Sequence, residues 1–218
     1  MKKSALIHPY IERILRQIIL KDLANKGRPH WDKPHTEAVA HWMKYLLEKI
    51  DNPQLNSKVM ITAAYAHDWG YISLFSQKKI SSIKEVIPYK KAHMKRSVEL
   101  IERLISQRLP GYFSQSELLK ITRIISVHDD IKNISDEDET LLMECDALGM
   151  LDSELAPPTL SAKENDYFMK HSIYKMRLPK FTHPEAKEIA EKLIEKREEF
   201  YSSLEKYLAS LSLKPNSE

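Results

Sequence analysis

Histidine and aspartate residues that could together bind a metal ion occur in five separate segments of the chain. The densest segment is Ala66-His67-Asp68-Trp69-Gly70, which places an imidazole next to a carboxylate where an apolar segment ends. An isolated doublet of this kind fits a helix end followed by a turn equally well. Four further candidates lie three or four residues from apolar neighbours: His35, His93, His128 and Asp146.

Helical periodicity explains how such distant residues could meet. Apolar residues recur at spacings of three and four along most of the chain, whereas the alternation typical of strands is rare. Each candidate shares the apolar face of its predicted helix, so we expect its side chain to point inward. Burying many polar groups without partners is costly, and imidazoles and carboxylates are common ligands of divalent metals. The sequence therefore predicts a shared metal centre inside an all-α protein.

The same periodicity predicts the helices that carry these residues. We expect helices over about 35–50, from Asn52-Pro53 to near Gly70, over 89–107 and over 163–176, while residues 71–88 are ambiguous. Two capping boxes predict further helix starts, Ser114 with Glu117 and Thr182 with Glu185. The acidic residues Asp136 to Asp138 after Ser135 predict another, because acidic side chains suit a helix N-terminus. The chain has no internal repeat and no long linker, so it should form one domain, residues 1–218.

Composition excludes several classes of protein. The 218 residues are 42% hydrophobic and 30% charged with a net charge of +3, which fits a globular chain and disfavours a nucleic-acid partner. Four dispersed glycines exclude a Walker loop or GxGxxG motif, and the single Cys145 excludes an intrachain disulfide and paired-cysteine zinc sites. We find no apolar run of signal-peptide or membrane-span type. These features predict a cytoplasmic enzyme or binding protein without membrane association.

The order His35, His67-Asp68, Asp146 resembles the HD superfamily of metal-dependent phosphohydrolases, whose signature is H…HD…D. The segment from Asp32 to Val39 is similar to that family's opening, and Glu144 to Leu148 is similar to its closing segment. The resemblance covers about residues 30–152, the expected HD core. Residues 183–201, with Ala186, Ala190 and Arg197, are similar to the C-terminal helix of small HD proteins. We therefore expect a helical extension over about 160–211 and a frayed tail over 212–218.

The resemblance also implies the ligands of two ions. The first ion would be held by His35, His67, Asp68 and Asp146, and the second by Asp68, His93 and His128, with Asp68 bridging. Alternatively, His93 and His128 contact the substrate phosphate, or one of them is the general acid, so that Asp68, His93 and His128 are the candidate catalytic residues. Imidazole ligands favour Mn²⁺ or Fe²⁺, with Ni²⁺, Co²⁺ or Mg²⁺ as alternatives.

This sequence departs from one pattern of the family. Some HD enzymes have HD-x-G-K, with a lysine that contacts phosphate, but here that position is Tyr71. Another cation must then hold the anion, and the candidates are Lys90, Lys91, Lys132 and Arg177. Asp129 stands where one two-metal subgroup has a further histidine, and its role is open. The remaining histidines are predicted to lie at the surface: His8, His30, His41, His171 and His183.

The resemblance implies hydrolysis of a phosphate ester or anhydride by a metal-activated water. A nucleotide or a similar small phosphorylated metabolite is the expected substrate. Two alternatives belong to other functional classes: a diiron HD-type oxygenase, and a non-catalytic HD module that binds a nucleotide. Self-association through the long C-terminal helix is a further expectation.

Overall fold

The computed structural model describes residues 5–75, 80 and 82–212, with side chains through residue 206. All regular structure in these ranges is helical, and they contain no strand, which confirms the predicted all-α fold. The α-helices are α1 (Pro9–Leu15), α2 (Lys21–Lys26), α3 (Asp32–Lys49), α4 (Ser57–Ala66), α5 (Lys90–Arg108), α6 (Gln115–Val127), α7 (Glu137–Leu151), α8 (Ala162–Phe168) and α9 (Pro184–Ser212). π-Helical turns over Arg16–Leu20 and Met169–Arg177 follow α1 and α8.

Helix α7 is the central helix of the core. Every residue from Glu139 to Gly149 is buried, which requires neighbours on all sides of the helix. Helices α3, α4 and α9 pack around it, and α6 packs on α4 and α5. This arrangement places Asp146 in the interior, between the helices that carry the candidate histidines.

Helix starts agree with the sequence where a local cap decides them. Ser114 and Glu117 form the predicted capping box: the Ser114 Oγ accepts the Glu117 N–H at 3.2 Å, and Glu117 accepts the Ser114 N–H at 2.9 Å. The acidic first turn of α7 is also confirmed, with Asp136 as the cap. The predicted start at Asn52-Pro53 is wrong, because α4 begins at Ser57, where the side chain of Asn56 accepts the Val59 N–H.

The predicted box at Thr182 is also wrong, for a reason that sequence spacing cannot show. Helix α9 begins at Pro184, one residue too late for Thr182 to cap it. Thr182 donates its backbone N–H at 2.5 Å to Oε1 of Glu144, a buried residue on α7. A tertiary contact thus replaces the local cap.

Two glycines permit close approach between the elements that carry the site. A Cβ on Gly70 would lie 2.0 Å from the carbonyl oxygen of His93, so the turn after α4 touches the backbone of α5. A Cβ on Gly149 would lie 2.6 Å from a methyl group of Val39, where α3 crosses α7. Only glycine allows these two contacts at the observed distances.

The ambiguous segment 71–88 contains short 3₁₀ turns over Trp69–Tyr71, Ile83–Glu85 and Ile87–Tyr89. Residues 76–79 and 81 of that segment lie outside the described residues, as does the predicted tail beyond Ser212. Among the described helices, none combines the length and the apolar character needed to cross a membrane.

Candidate metal centre

Five elements bring the predicted ligand residues to one place. His35 lies in the first turn of α3 and His93 in the first turn of α5, while Asp146 lies in the middle of α7. His67 and His128 each follow the last residue of a helix, α4 and α6 respectively. The candidate ligands are all buried: His35, His67, Asp68, His93, His128 and Asp146.

One half of the cluster surrounds the carboxylate of Asp146. Its Oδ1 lies 3.0 Å from Nε2 of His35 and 3.6 Å from Nε2 of His67. The two Nε2 atoms are 3.3 Å apart. Two imidazole nitrogens and one carboxylate oxygen therefore converge on a common point.

Asp68 joins this half to a second one. Its Oδ2 faces the first half, 3.7 Å from Nε2 of both His35 and His67. Its Oδ1 faces the other way, 3.3 Å from Nε2 of His93 and 3.5 Å from Nε2 of His128. The latter two Nε2 atoms are 3.3 Å apart. One carboxylate thus lies between two histidine pairs, with one oxygen directed at each.

The imidazoles are oriented in two ways. Nδ1 of His67 lies 2.8 Å from the carbonyl oxygen of Ala64, and Nδ1 of His128 lies 2.8 Å from that of Ile125. A carbonyl can only accept, so each Nδ1 carries a proton and Nε2 is directed at the cluster. His35 and His93 are instead stacked, His35 on Trp31 with ring centroids 5.3 Å apart and His93 on Tyr71 with centroids 3.9 Å apart.

The cluster has a strongly perturbed charge balance. Burial opposes ionisation of Asp68 and Asp146, but the surrounding histidines outweigh it and hold the pKa of each carboxyl well below its usual range. Burial also opposes the charged form of His67, yet Asp68 and Asp146 raise its pKa to about 9. Burial lowers the pKa of His93. In the metal-free protein, the anionic carboxylates therefore retain a proton on His67 that metal binding would release.

The donor set fits divalent metal ions. Bonds of about 2.0–2.1 Å to nitrogen place neighbouring ligand atoms about 2.9–3.4 Å apart, for bond angles between octahedral and tetrahedral. The separations within each half are 3.0–3.7 Å, so only a slight contraction is needed. Two groups of three candidate ligands, which share His67, have all their ligand atoms within 4.8 Å of one another: His35, His67 and Asp146, and His67, Asp68 and His128.

A third possible ligand group contains the second His-Asp doublet, His128-Asp129. Asp129 lies within ligand distance of His93 and His128. However, its Oδ1 accepts hydrogen bonds from Lys90 at 2.7 Å and from Arg177 at 2.8 Å. Although Asp129 is buried, these cations lower the pKa of its carboxyl. In this structure Asp129 is an ionised residue that fixes two cations beside the cluster.

A cavity of about 110 Å³ opens beside the cluster and exposes it to ligands. Arg28, Lys90 and Arg177 contribute positive charge to its wall, next to Asp68 and His128. Apolar side chains form much of the remaining wall: Trp31, Ile80, Ile83, Val86, Met150, Leu160 and Phe168. The cavity thus combines a cationic end at the cluster with apolar walls suited to an organic group.

Arg28 was not among the sequence candidates. Its guanidinium lies over the ring of Tyr71 at 4.3 Å, pairs with Asp32 at 2.6 Å, and reaches within 3.6 Å of Oδ2 of Asp68. A cation from the loop before α3 therefore stands above the tyrosine that replaces the motif lysine. The one available signal was the four-residue spacing between Arg28 and Asp32, because such a pair can bond across one helical turn.

The other predicted cations divide into two groups. Lys90 and Arg177 line the cavity, and Arg177 also lies 3.5 Å from Asp146. Lys91 and Lys132 are exposed and do not line it. Their placement gives no support to the predicted role in substrate binding.

The predicted surface histidines include one error. His8, His30 and His41 are exposed and His171 is half-buried, but His183 is buried. Its Nδ1 lies 2.6 Å from Oε2 of Glu144, which accepts the backbone N–H groups of Thr182 and His183 through Oε1. His183 therefore attaches the start of α9 to α7, a contact between residues distant in sequence.

Comparisons of the chain with protein-family models, with curated proteins and with solved structures find no match.

Proposed function

We propose that this protein is a metal-dependent hydrolase of a phosphate ester or anhydride, with a nucleotide or a similar small phosphorylated metabolite as substrate. The observation that carries the proposal is the position of Asp68. Its two oxygens face two separate histidine pairs, beside the end of the cavity where Arg28, Lys90 and Arg177 lie. Two divalent ions and a phosphoryl group need these two environments side by side.

The residues divide into two ligand sets that share Asp68. His35, His67 and Asp146 would hold one ion and His93 and His128 the other, with Mn²⁺ or Fe²⁺ favoured by the imidazoles. When bound, such ions act as Lewis acids and lower the pKa of coordinated water. The order of these residues resembles the H…HD…D signature of HD phosphohydrolases, which supports the same assignment.

The cations beside the cluster would bind the phosphoryl oxygens. Arg28 and Arg177 present planar guanidinium groups, which can bind two oxygens at once. Asp32 holds Arg28 through its side chain, and Asp129 holds both Lys90 and Arg177. These carboxylates keep the cations in place before substrate arrives, so little ordering is needed on binding.

Phosphate release after metal removal and reconstitution tests the proposal. The protein is treated with a chelator, loaded separately with Mn²⁺, Fe²⁺, Co²⁺, Ni²⁺ or Mg²⁺, and incubated with nucleotides and small phosphate esters. We expect release that depends on the metal and is lost in Asp68→Asn, while Lys132→Ala, altered at an exposed lysine, retains it. Release that persists after chelation, or in Asp68→Asn, would contradict the proposal.

The same samples distinguish the two alternatives. An iron-loaded protein that consumes dioxygen with a substrate and releases no phosphate would be an oxygenase. A protein that binds a nucleotide tightly without turnover under any metal would be a binding module. Either result would replace the hydrolase proposal.

A further inference from the structure

Besides Arg28, Lys90 and Arg177, a fourth cation, Arg197, lines the same cavity. Arg197 belongs to α9, outside the expected HD core, and its side chain is 1% exposed. It lines the cavity together with Met150, Leu160 and Phe168. A buried charge that reaches a cavity is a candidate for ligand recognition.

Arg197 differs from the other arginines of the cavity because no described carboxylate pairs with it. Arg28 pairs with Asp32 and Arg177 with Asp129. The Nε of Arg197 instead donates to the side-chain oxygen of Asn165 at 2.7 Å, and Nη1 donates to the backbone carbonyl of Met150 at 2.8 Å.

The rest of its surroundings is also uncharged. The guanidinium lies 5.6 Å from the ring centres of both Phe168 and Tyr201. Burial accordingly lowers the pKa of Arg197. Within the described residues, Nη2 of Arg197 has no hydrogen-bond acceptor. A buried cation without a counter-charge is unfavourable unless a ligand supplies one.

Arg197 is bound to α7 about one helical turn beyond Asp146. Met150, whose carbonyl oxygen accepts the hydrogen bond of Arg197, follows Asp146 by four residues, a separation of about 6 Å along the helix axis. Asp146 and Met150 line the same cavity, and apolar side chains form much of the remaining wall. A ligand that spans this distance must therefore carry an apolar part between its two ends.

We propose that Arg197 binds a second anionic group of the substrate, and that an apolar part of the substrate separates this group from the phosphate. This inference rests on the proposed function, because the phosphate is assigned to the cationic end at the cluster. Arg197 is thus a specificity-determining residue, and the substrate class is a phosphate ester with an anionic group at its opposite end.

Two aryl phosphonates, which cannot be hydrolysed at the carbon–phosphorus bond, test this directly. Binding of phenylphosphonate and 4-carboxyphenylphosphonate to the metal-loaded protein is measured by isothermal titration calorimetry. The benzene ring separates the two anionic groups of the second ligand by about the length of one α-helical turn. We expect it to bind about 10- to 100-fold more tightly, as for a hydrogen bond to a charged group.

Arg197→Met should remove this preference while leaving phenylphosphonate affinity within about threefold, since a charge is lost but the apolar stem is retained. Lys132→Ala is the matched control for loss of a positive charge and should keep the preference. Equal affinities in the wild type, or an unchanged preference in Arg197→Met, would overturn the inference. If Arg197→Met does not fold, Arg197→Lys replaces it and should weaken the preference, because an ammonium lacks the planar fork.

The two proposals fail in different ways. Metal-dependent phosphate release together with equal phosphonate affinities would refute the role of Arg197 alone. A preference that depends on Arg197, without phosphate release from any ester, would refute the hydrolase and keep the anion site.

Discussion

The substitution Gly70→Ala tests whether the close contact between the turn after α4 and helix α5 determines the geometry of the candidate metal centre. A methyl group at this position would lie 2.0 Å from the carbonyl oxygen of His93 and 2.8 Å from the backbone nitrogen of Ser97. Both atoms belong to the backbone of α5 and cannot rotate away. The helix must therefore move.

The size of the movement follows from the contact distance. Real Cβ contacts are essentially never shorter than 3.0 Å, so α5 must retreat by at least about 1 Å. The movement would carry His93 away from Oδ1 of Asp68, now 3.3 Å from its Nε2. Overpacking of this kind costs about 1–3 kcal/mol of unfolding free energy. A ligand displaced by 1 Å should weaken metal binding about 10- to 100-fold.

Elemental analysis and urea denaturation measure the two effects of Gly70→Ala. We expect bound metal to fall from two ions per chain towards one, with the His93 half emptied first. Leu104→Ala is the control: it opens a cavity in α5, about 16 Å from His93, and should cost about 2–5 kcal/mol without metal loss. Wild-type metal content and stability in Gly70→Ala would refute the reasoning.

Two further predictions concern charged residues. The hydrogen bond to Glu144 is the main cause that raises the pKa of His183. The contact between protonated His183 and Glu144 therefore stabilises the fold fully below about pH 6.5, the ordinary pKa of histidine, and this stabilisation is lost as the pH rises through the raised pKa of His183. His183→Gln should therefore flatten this decline, as measured by denaturation across that range, and an unaltered pH profile would contradict the assignment. Lys90→Ala should raise the KM for phosphate esters about tenfold, because it removes a cation that Asp129 holds at the cavity. Lys132→Ala should leave the KM unchanged. Equal effects of the two substitutions in steady-state assays would exclude a role of Lys90 in substrate binding.

The all-α fold and the burial of the candidate ligands were predictable from local patterns. Helical spacing placed the five candidate segments on apolar faces, and the structure buries all the residues concerned. The Ser114 capping box was equally local, because its two partners are three residues apart. Such signals depend on one helix at a time.

Features that depend on two distant elements were not predictable. His183 was expected at the surface, but its partner Glu144 is 39 residues away. Arg28 lies in a loop, and its position over Tyr71 follows from how that loop folds back on the turn after α4. No carboxylate in the described part of the chain pairs with Arg197, and only the surroundings of its guanidinium reveal this.

The number of metal ions per chain tests the central claim, that Asp68 bridges two ligand sets. The protein is expressed, stripped, reconstituted with Mn²⁺ or Fe²⁺ and analysed by elemental analysis, together with His35→Ala and His128→Ala. The account predicts two ions in the wild type and about one in each variant, because each substitution affects a different side of Asp68. One ion or none in the wild type, or no loss in either variant, would contradict it.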